Sequence, residues 1–370
     1  MNTDHMPILD LKGSPIERGL CYGETQKQSI ACSLESWLED LGSFSYDSQC
    51  SSKVNPDDYL RLFFSQTKYI SAIKRWAPDL LEEIKGIAEA ASQPFEHVLG
   101  LNLMDEEWVF GLRQRINKPR EKCTAFGLYN EESKTNFAGQ NMDIGSWVDG
   151  RQVLLKISPG NHQPEAMLFS IAGSIGLNGI NAAGLGITCN TLTQLNSSTS
   201  GLPVLFIVRS ILAKQTMDEA ESFLRSIPHA SGQNYILSTA DEIRCYECCG
   251  SSVVQYSPVE YGGNIFHTNH PLVSSDLNPL PQLNELSPST VARLTSISGR
   301  LGSLNRASLD EVKMALSAHD DLENPVSRST NDSGSSIGFT AGSSIYDFHN
   351  NCLHLAAGPP CETAFKTFTF

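Results

Sequence analysis

Cys123 opens the run Cys123-Thr124-Ala125-Phe126-Gly127, and Gly139-Gln140-Asn141-Met142-Asp143 follows it. A cysteine is a good nucleophile only as the thiolate, so chemistry at Cys123 needs a base within reach. A chain cut immediately before Cys123 would supply one, because an α-amine titrates at about 7.7 to 8.0 and a lysine amine does not titrate near neutrality. Residues 124–128 read as a short strand, 129–136 as a polar turn and 137–142 as the returning strand, a hairpin that carries Asp143 back beside Cys123. Cysteines outside disulfides most often pack as small apolar residues, and taken alone the hairpin favours that reading.

The elements that must hold these residues fall into a helical stretch and a strand-rich one. Apolar spacing predicts helices over residues 33–41, 57–76, 79–91 and 94–102. Residues 111–122 carry Arg113, Arg115, Lys118, Arg120 and Lys122 and read as an exposed loop, which suits a cleavage site. From Cys123 onward, residues 153–157, 167–171, 185–192, 234–239, 243–248 and 253–256 read as strands. Helices at 203–213 and 217–225 interrupt them, the second with Thr216 as its cap. Residues 196–200 and 327–336 are low in complexity and read as surface loops. Aromatic residues of the first stretch, Phe63, Phe64, Tyr69 and Trp108, are candidates for core or for a pocket wall.

Further segments occur in a recognisable order: Gly13-Ser14-Pro15-Ile16-Glu17-Arg18-Gly19 with Gly23, and Leu80-Leu81-Glu82-Glu83-Ile84-Lys85-Gly86 before Cys123. After it come Gly176-Leu177-Asn178-Gly179-Ile180-Asn181-Ala182-Ala183-Gly184-Leu185 with Asn190, then His267-Thr268-Asn269-His270, and Ala357-Gly358-Pro359-Pro360-Cys361. Together with Cys123-Thr124 and the Gly139 to Asp143 run, they span nearly the whole chain. In this order the chain resembles the acyl-coenzyme A:6-aminopenicillanic acid acyltransferase family, a peptidase-like family of N-terminal-nucleophile hydrolases.

The resemblance implies that the precursor cuts itself between Lys122 and Cys123. The expected products are an α fragment, residues 1–122, and a β fragment, residues 123–370, which stay together as one globular unit. The implied fold is α+β, four layers of helix, sheet, sheet and helix. The implied roles are Cys123 as nucleophile, Asp143 orienting its α-amine, and Asn269 as the neutral amide that donates to the tetrahedral oxyanion. Loss of one such donor typically costs on the order of 100-fold in rate. Asn190 is a further candidate for meeting substrate or oxyanion, with a buried structural role as its equal alternative. Arg293 is the candidate for an arginine near the site, and Arg300 competes with it. Lys122 departs from the Gly that many relatives place before the nucleophile, where permissive dihedrals help an acyl shift.

The activity implied is hydrolysis of a small N-acyl amide through a thioester, an acyl-amino acid or a β-alanyl amine being examples. Acyl transfer from an acyl-CoA to an amine is the alternative, and an uncut, non-catalytic ligand-binding protein is a third reading. A papain-type thiol enzyme would need a histidine base, and none of the nine histidines lies in a segment that recommends it. No cofactor and no metal are expected. Cys245, Cys248 and Cys249 have no second pair at zinc-ribbon spacing, and the glycine-rich run from Gly176 lacks a phosphate-loop Lys-Ser/Thr. His267 and His270 read as scaffold.

Length and composition fit a large layered unit: 370 residues, 40% hydrophobic and 18% charged. A net charge of −14 and pI near 5.1 disfavour nucleic acid and anionic membrane as partners. The expected partners are a small amide substrate and the two fragments of one precursor. The first residues have no basic region followed by an apolar stretch, the longest apolar run is too short to span a bilayer, and a cytoplasmic location is expected. Ten cysteines at this length would stay reduced there rather than form a disulfide framework.

Overall fold

Gln140 shows how the molecule is tied together, because its side-chain amide leaves one β-sheet to satisfy the backbone of another. The computed structural model describes residues 6–42, 55–113, 122–130, 137–160, 162–280, 283–304, 306–329 and 338–370. The chain begins with β1 (Ile8–Lys12) and seven helices: α1 (Pro15–Thr25), α2 (Lys27–Gly42), α3 (Pro56–Gln66), α4 (Tyr69–Trp76), α5 (Pro78–Ala91), α6 (Phe95–Leu101) and α7 (Met104–Arg113). Then come β2 (Lys122–Leu128), β3 (Phe137–Ile144), β4 (Gln152–Ser158), β5 (Ala166–Ile171), β6 (Asn178–Asn181) and β7 (Gly186–Thr191). Helices α8 (Val204–Leu212) and α9 (Met217–Ser226) precede β8 (Gln233–Ser238), β9 (Ile243–Cys248), β10 (Val253–Tyr256) and β11 (Ile265–His267). The chain closes with α10 (Pro288–Leu301), α11 (Leu309–Leu316), β12 (Phe339–Asp347), β13 (Cys352–Ala356) and β14 (Lys366–Thr369).

These strands make two sheets, ordered β1-β4-β5-β6-β7-β8-β9-β10 and β11-β2-β3-β12-β13-β14. The sheets face each other through β2 and β3 against β7, with α1, α8 and α9 on the outside of the first and α10, backed by α11, on the outside of the second. This is the four-layer α+β arrangement expected. Gln140 on β3 crosses between the sheets, its Nε2 donating to the Cys189 carbonyl at 3.1 Å and its Oε1 accepting from the Cys189 N–H at 2.8 Å. β7 pairs with β6 only at Gly186 and Ile187, and the amide supplies the partners that β7 lacks farther along. Its neighbour Asn141 points the other way and donates to the carbonyls of Leu316 and Val326.

The opening motif is structural. Arg18 on α1 and Arg209 on α8 both pair with the fully buried Glu83 of α5. Gly19 lets α1 and α5 touch, since a Cβ there would lie 2.1 Å from the Glu83 carbonyl oxygen. One apolar core runs across the 122–123 junction: Leu9, Tyr22, Phe63 and Ile84 share it with Leu154, Phe169, Ile180 and Phe206. Among the described residues no helix is long and apolar enough to cross a membrane.

Several local expectations change. The helix expected over 57–76 is two, because Thr67 is extended and its Oγ1 takes the Phe63 carbonyl at 2.9 Å, while the Lys68 N–H turns to Thr199 O at 2.6 Å. The basic segment expected as a loop begins inside α7, where Gly111 and Leu112 are buried; residues 114–121 lie outside the described residues. Of the serine-rich segment read as a surface loop, Ser327, Arg328 and Ser329 are buried, and 330–337 lie outside the described residues. Thr216 caps α9 as expected, accepting from Glu219 N.

Candidate active site

The β2–β3 hairpin has the expected register: Cys123 lies opposite Met142, and Lys122 opposite Asp143. Alternation along β2 then decides what each residue faces. Cys123, Ala125 and Gly127 turn toward the first sheet, where Ala125 packs with Ile236 and Cys245, and a Cβ on Gly127 would meet Ile243. Phe126 and Leu128 turn the other way, into the core under α10 and α11. Cys123 therefore sits between the sheets at the end of its strand, buried at 6% exposure, on the wall of a cleft.

The backbone of Cys123 is gripped from both sides. Its N–H donates to Asn269 Oδ1 at 2.6 Å, and its carbonyl accepts from Arg293 Nη1. The same Arg293 nitrogen donates to Thr124 Oγ1 at 3.0 Å, and Nη2 donates to Asn269 Oδ1 at 3.0 Å. Asn269 Nδ2 donates to Thr191 O at 3.1 Å, which fixes the amide with its oxygen toward the nucleophile. The Asn269 N–H is held by Thr290 Oγ1 at 2.8 Å. The Asn269 amide, expected to donate to an oxyanion, turns its Oδ1 to the Cys123 nitrogen and its Nδ2 to Thr191 O.

Arg293, on α10, is almost completely buried and comes to the site; its competitor Arg300, two turns farther along the same helix, pairs with Asp320 at the surface. Burial draws the Arg293 guanidinium down to about 10, against the opposing pull of Asp143 and Cys123, so it remains charged at neutrality. Asp143 is buried at the end of β3 and accepts from Thr340 Oγ1 at 2.7 Å. Asn190 is not brought to the cleft. Cys189 and Thr191 line it, while Asn190 between them accepts from Asn234 Nδ2 at 3.0 Å and reaches the His267 carbonyl at 3.5 Å, the structural alternative.

His267 is scaffold, with its Nε2 2.9 Å from Glu247 Oε1 and its Nδ1 2.8 Å from Thr268 O. Burial alone would raise Glu247, but His267 and the N–H groups of Leu272 and Ser274 hold it below the usual carboxylate value. His270 is pushed down to about 4, by burial first and by the charge of His267 second. Sequence reasoning missed Thr290 and Thr340, which position Asn269 and Asp143; neither carries a motif. None of the nine described cysteines forms a disulfide with another described cysteine, and Cys245 donates to Asn234 Oδ1 inside the core.

The cleft wall is apolar, with Trp37, Trp108, Met142, Trp147, Leu177 and Leu205, of which Trp108 was the pocket candidate that reached it. Phe63 and Tyr69 pack instead as core. Four carboxylates, Asp40, Asp105, Glu107 and Asp143, also line the cleft, and among its described lining residues there is no Lys, Arg or His.

A curated relative, the 40 kDa form of acyl-coenzyme A:6-aminopenicillanic-acid-acyltransferase from Emericella nidulans, is 26% identical over 283 residues, 73% of this chain and 72% of that one. Among solved structures, a variant of conjugated bile acid hydrolase from Clostridium perfringens is similar at TM-score 0.44 and 13% identity, over 67% of this chain and 97% of that one. Penicillin V acylase from Agrobacterium tumefaciens is similar at TM-score 0.43 and 14% identity, over 64% and 83% of the two chains. A family model matches residues 129–362, beginning just after the segment that carries Cys123. That match spans well over half of the sequence, and the chain belongs to the acyl-coenzyme A:6-aminopenicillanic acid acyl-transferase family.

Proposed function

We propose that the chain is a self-processing cysteine amidohydrolase of the N-terminal-nucleophile class. The observation that carries this reading is the grip on Cys123: Asn269 on its nitrogen, Arg293 on its carbonyl, and its side chain on the cleft wall. In processing, the Cys123 thiolate attacks the Lys122 carbonyl carbon. The C–N bond breaks, a thioester forms at Sγ, and the nitrogen takes a proton. Water then hydrolyses the thioester, leaving the Lys122 carboxylate, the free thiol and an α-amine.

That amine stays where Asn269 Oδ1 holds one of its hydrogens, so its lone pair is free to take the thiol proton. Attack on a substrate amide forms a thioester and releases the substrate amine with that proton; water completes the cycle. The Arg293 charge beside the amine disfavours its ammonium form and Asp143 favours it, which keeps the base near its working range.

The cleft supports hydrolysis of a small N-acyl amide with an apolar part, an acyl-amino acid or a β-alanyl amine being examples. The tryptophans, methionine and leucines of its wall suit the apolar part of such a substrate. Acyl transfer is the second reading, supported by the family and by the name of the Emericella nidulans relative.

Intact mass under denaturing conditions tests the processing step, with fragments of 122 and 248 residues expected in the wild type and one 40.5 kDa species in Cys123→Ala. A single species in both would overturn it. Product analysis with a β-alanyl amine, an uncharged N-acyl amine, and an acyl-CoA plus acceptor amine then separates the two activities. Turnover of the acyl-CoA pair alone would replace hydrolysis by transfer.

A further inference from the structure

The end of the second sheet remote from Cys123 gathers three metal-binding side chains of different kinds. Asp347 ends β12 and lies directly opposite Cys352 on β13, and His354 follows two residues on. A directly opposed pair plus an i+2 neighbour share one face of a sheet. All three are buried, and their ligand atoms lie within 4.8 Å of one another.

The distances separate this cluster from an ordinary hydrogen-bonded one. His354 Nε2 lies 3.6 Å from Cys352 Sγ and 3.8 Å from Asp347 Oδ2. The second is too long for an N–H···O bond, which spans about 2.7–3.2 Å. Tetrahedral zinc, with bonds of about 2.3 Å to sulfur and about 2.0–2.2 Å to nitrogen and oxygen, sets ligand atoms roughly 3.4–3.6 Å apart. Both observed spacings lie within a few tenths of an ångström of those edges. Sulfur and carboxylate also converge on the same ring nitrogen, whereas a nucleophile–base–acid relay would place them on opposite nitrogens.

The surrounding groups are those that a metal ligand needs. His354 Nδ1 lies 2.8 Å from Thr367 Oγ1 on β14, which lets Nδ1 carry the proton and leaves the Nε2 lone pair facing the cluster. Asn350 holds both oxygens of Asp347, through its N–H at 2.9 Å and its Nδ2 at 2.7 Å. Asp347, Asn350 and His349 also line one surface depression, a route of entry.

We infer that Asp347, Cys352 and His354 bind one zinc-type divalent cation, with a fourth position left for water. Binding releases the Cys352 proton to solvent, and the thiolate and carboxylate balance the two charges of the ion. The ion joins β12 to β13 at the end opposite Thr340, the residue that holds Asp143. Its role is to staple the sheet, remote from the thiol chemistry.

The test uses the full chain after treatment with a chelator. Cobalt(II) is titrated in while thiolate-to-cobalt charge-transfer and tetrahedral d–d absorption are followed, and zinc content is measured separately by mass spectrometry. The expected result is one equivalent per chain in the wild type and in Cys123→Ala, absent in Cys352→Ser and weakened at least tenfold in His354→Gln. Zinc is expected to raise the melting temperature of the first two only. No tetrahedral thiolate spectrum in the wild type would overturn the inference. So would a spectrum that survives Cys352→Ser or disappears in Cys123→Ala, since the ion would then sit elsewhere. If Cys352→Ser does not fold by circular dichroism, Asp347→Asn replaces it, and an unchanged affinity there overturns the assignment.

Discussion

Replacing Arg293 by lysine keeps the buried charge near Asp143 but removes the fork. Arg293 serves Cys123 O and Thr124 Oγ1 from one nitrogen and Asn269 Oδ1 from the other. A lysine ammonium is a single point on a flexible stem and cannot reproduce that spread. A charge-assisted bond is worth roughly 1.5–3 kcal/mol, so losing the contact to Asn269 while keeping the one to Cys123 O costs about 2 kcal/mol of stability. The greater effect falls on chemistry, because Asn269 Oδ1 then loses one of its two donors and only Thr191, through Nδ2, still fixes the amide from outside the nucleophile. A misplacement of about 1 Å at a reacting centre costs on the order of 100-fold. Both processing and turnover are therefore expected to slow about 100-fold in Arg293→Lys, read by the rate of fragment appearance in intact mass spectra and by release of the amine product. Arg300→Lys is the control on the same helix: its pair with Asp320 is 40% and 44% exposed, and such surface pairs contribute at most about 1 kcal/mol. Arg293→Lys within threefold of the wild type in both rates would refute the positioning argument.

Three further outcomes follow from buried groups. Gln140→Leu strands the N–H and C=O of Cys189 and is expected to cost about 2–4 kcal/mol in denaturant unfolding; a loss below 1 kcal/mol would show that water replaces the clamp. Glu83→Gln leaves Arg18 and Arg209 facing each other without their shared anion and is expected to lose about 3–5 kcal/mol, again by denaturant midpoint, with a neutral effect ruling out the ion network as a fold determinant. Glu106 gives a pH signature. Burial first, and Asp105 second, raise it from 4.5 to about 8, and its Oε2 has no hydrogen-bond partner among the described atoms. The folded chain keeps this proton after the unfolded chain has lost it, so the stability that Glu106 contributes is greatest below pH 4.5, declines as pH rises toward 8, and is flat above. The decline is on the order of 3–5 kcal/mol. Glu106→Gln should match the wild type near pH 4 and exceed it at pH 9; parallel curves would sink the assignment.

How much of this was legible varies with what each residue does. The β2–β3 hairpin was readable because a polar turn separates two apolar runs, and its register placed Asp143 beside Cys123 without any long-range information. Asn269 was found from its motif, but not its orientation, since which end of an amide faces the nucleophile is decided by Arg293 and Thr191 from distant segments. Arg293 and Arg300 look alike in sequence and, seven residues apart, lie on nearly the same face of α10; two turns along the helix carry Arg300 to its end, where it meets Asp320. Asn190 was left with two readings because a buried asparagine serving Asn234 and His267 has the same local signature as one serving a substrate. β12 escaped notice because both its faces are buried and one must be small: a Cβ on Gly342 would lie 2.3 Å from the Phe169 ring. Gly, Ser and Thr chosen for that close approach read as loop.

The core that runs through Leu9 and Phe63 as well as Phe169 and Phe206 makes the 122–123 peptide bond dispensable to architecture. β1, from the first segment, pairs parallel with β4 over five residues, and Glu83 of that segment grips Arg209 of the other. Covalent continuity at the junction supplies effective concentration during folding and little afterwards. A chain of residues 1–122 and a second beginning at Cys123, produced together, carry between them every contact needed to assemble. Under the proposed cleavage the chain is a heterodimer encoded as one polypeptide, and the uncut form delivers two partners in equal number to the same place.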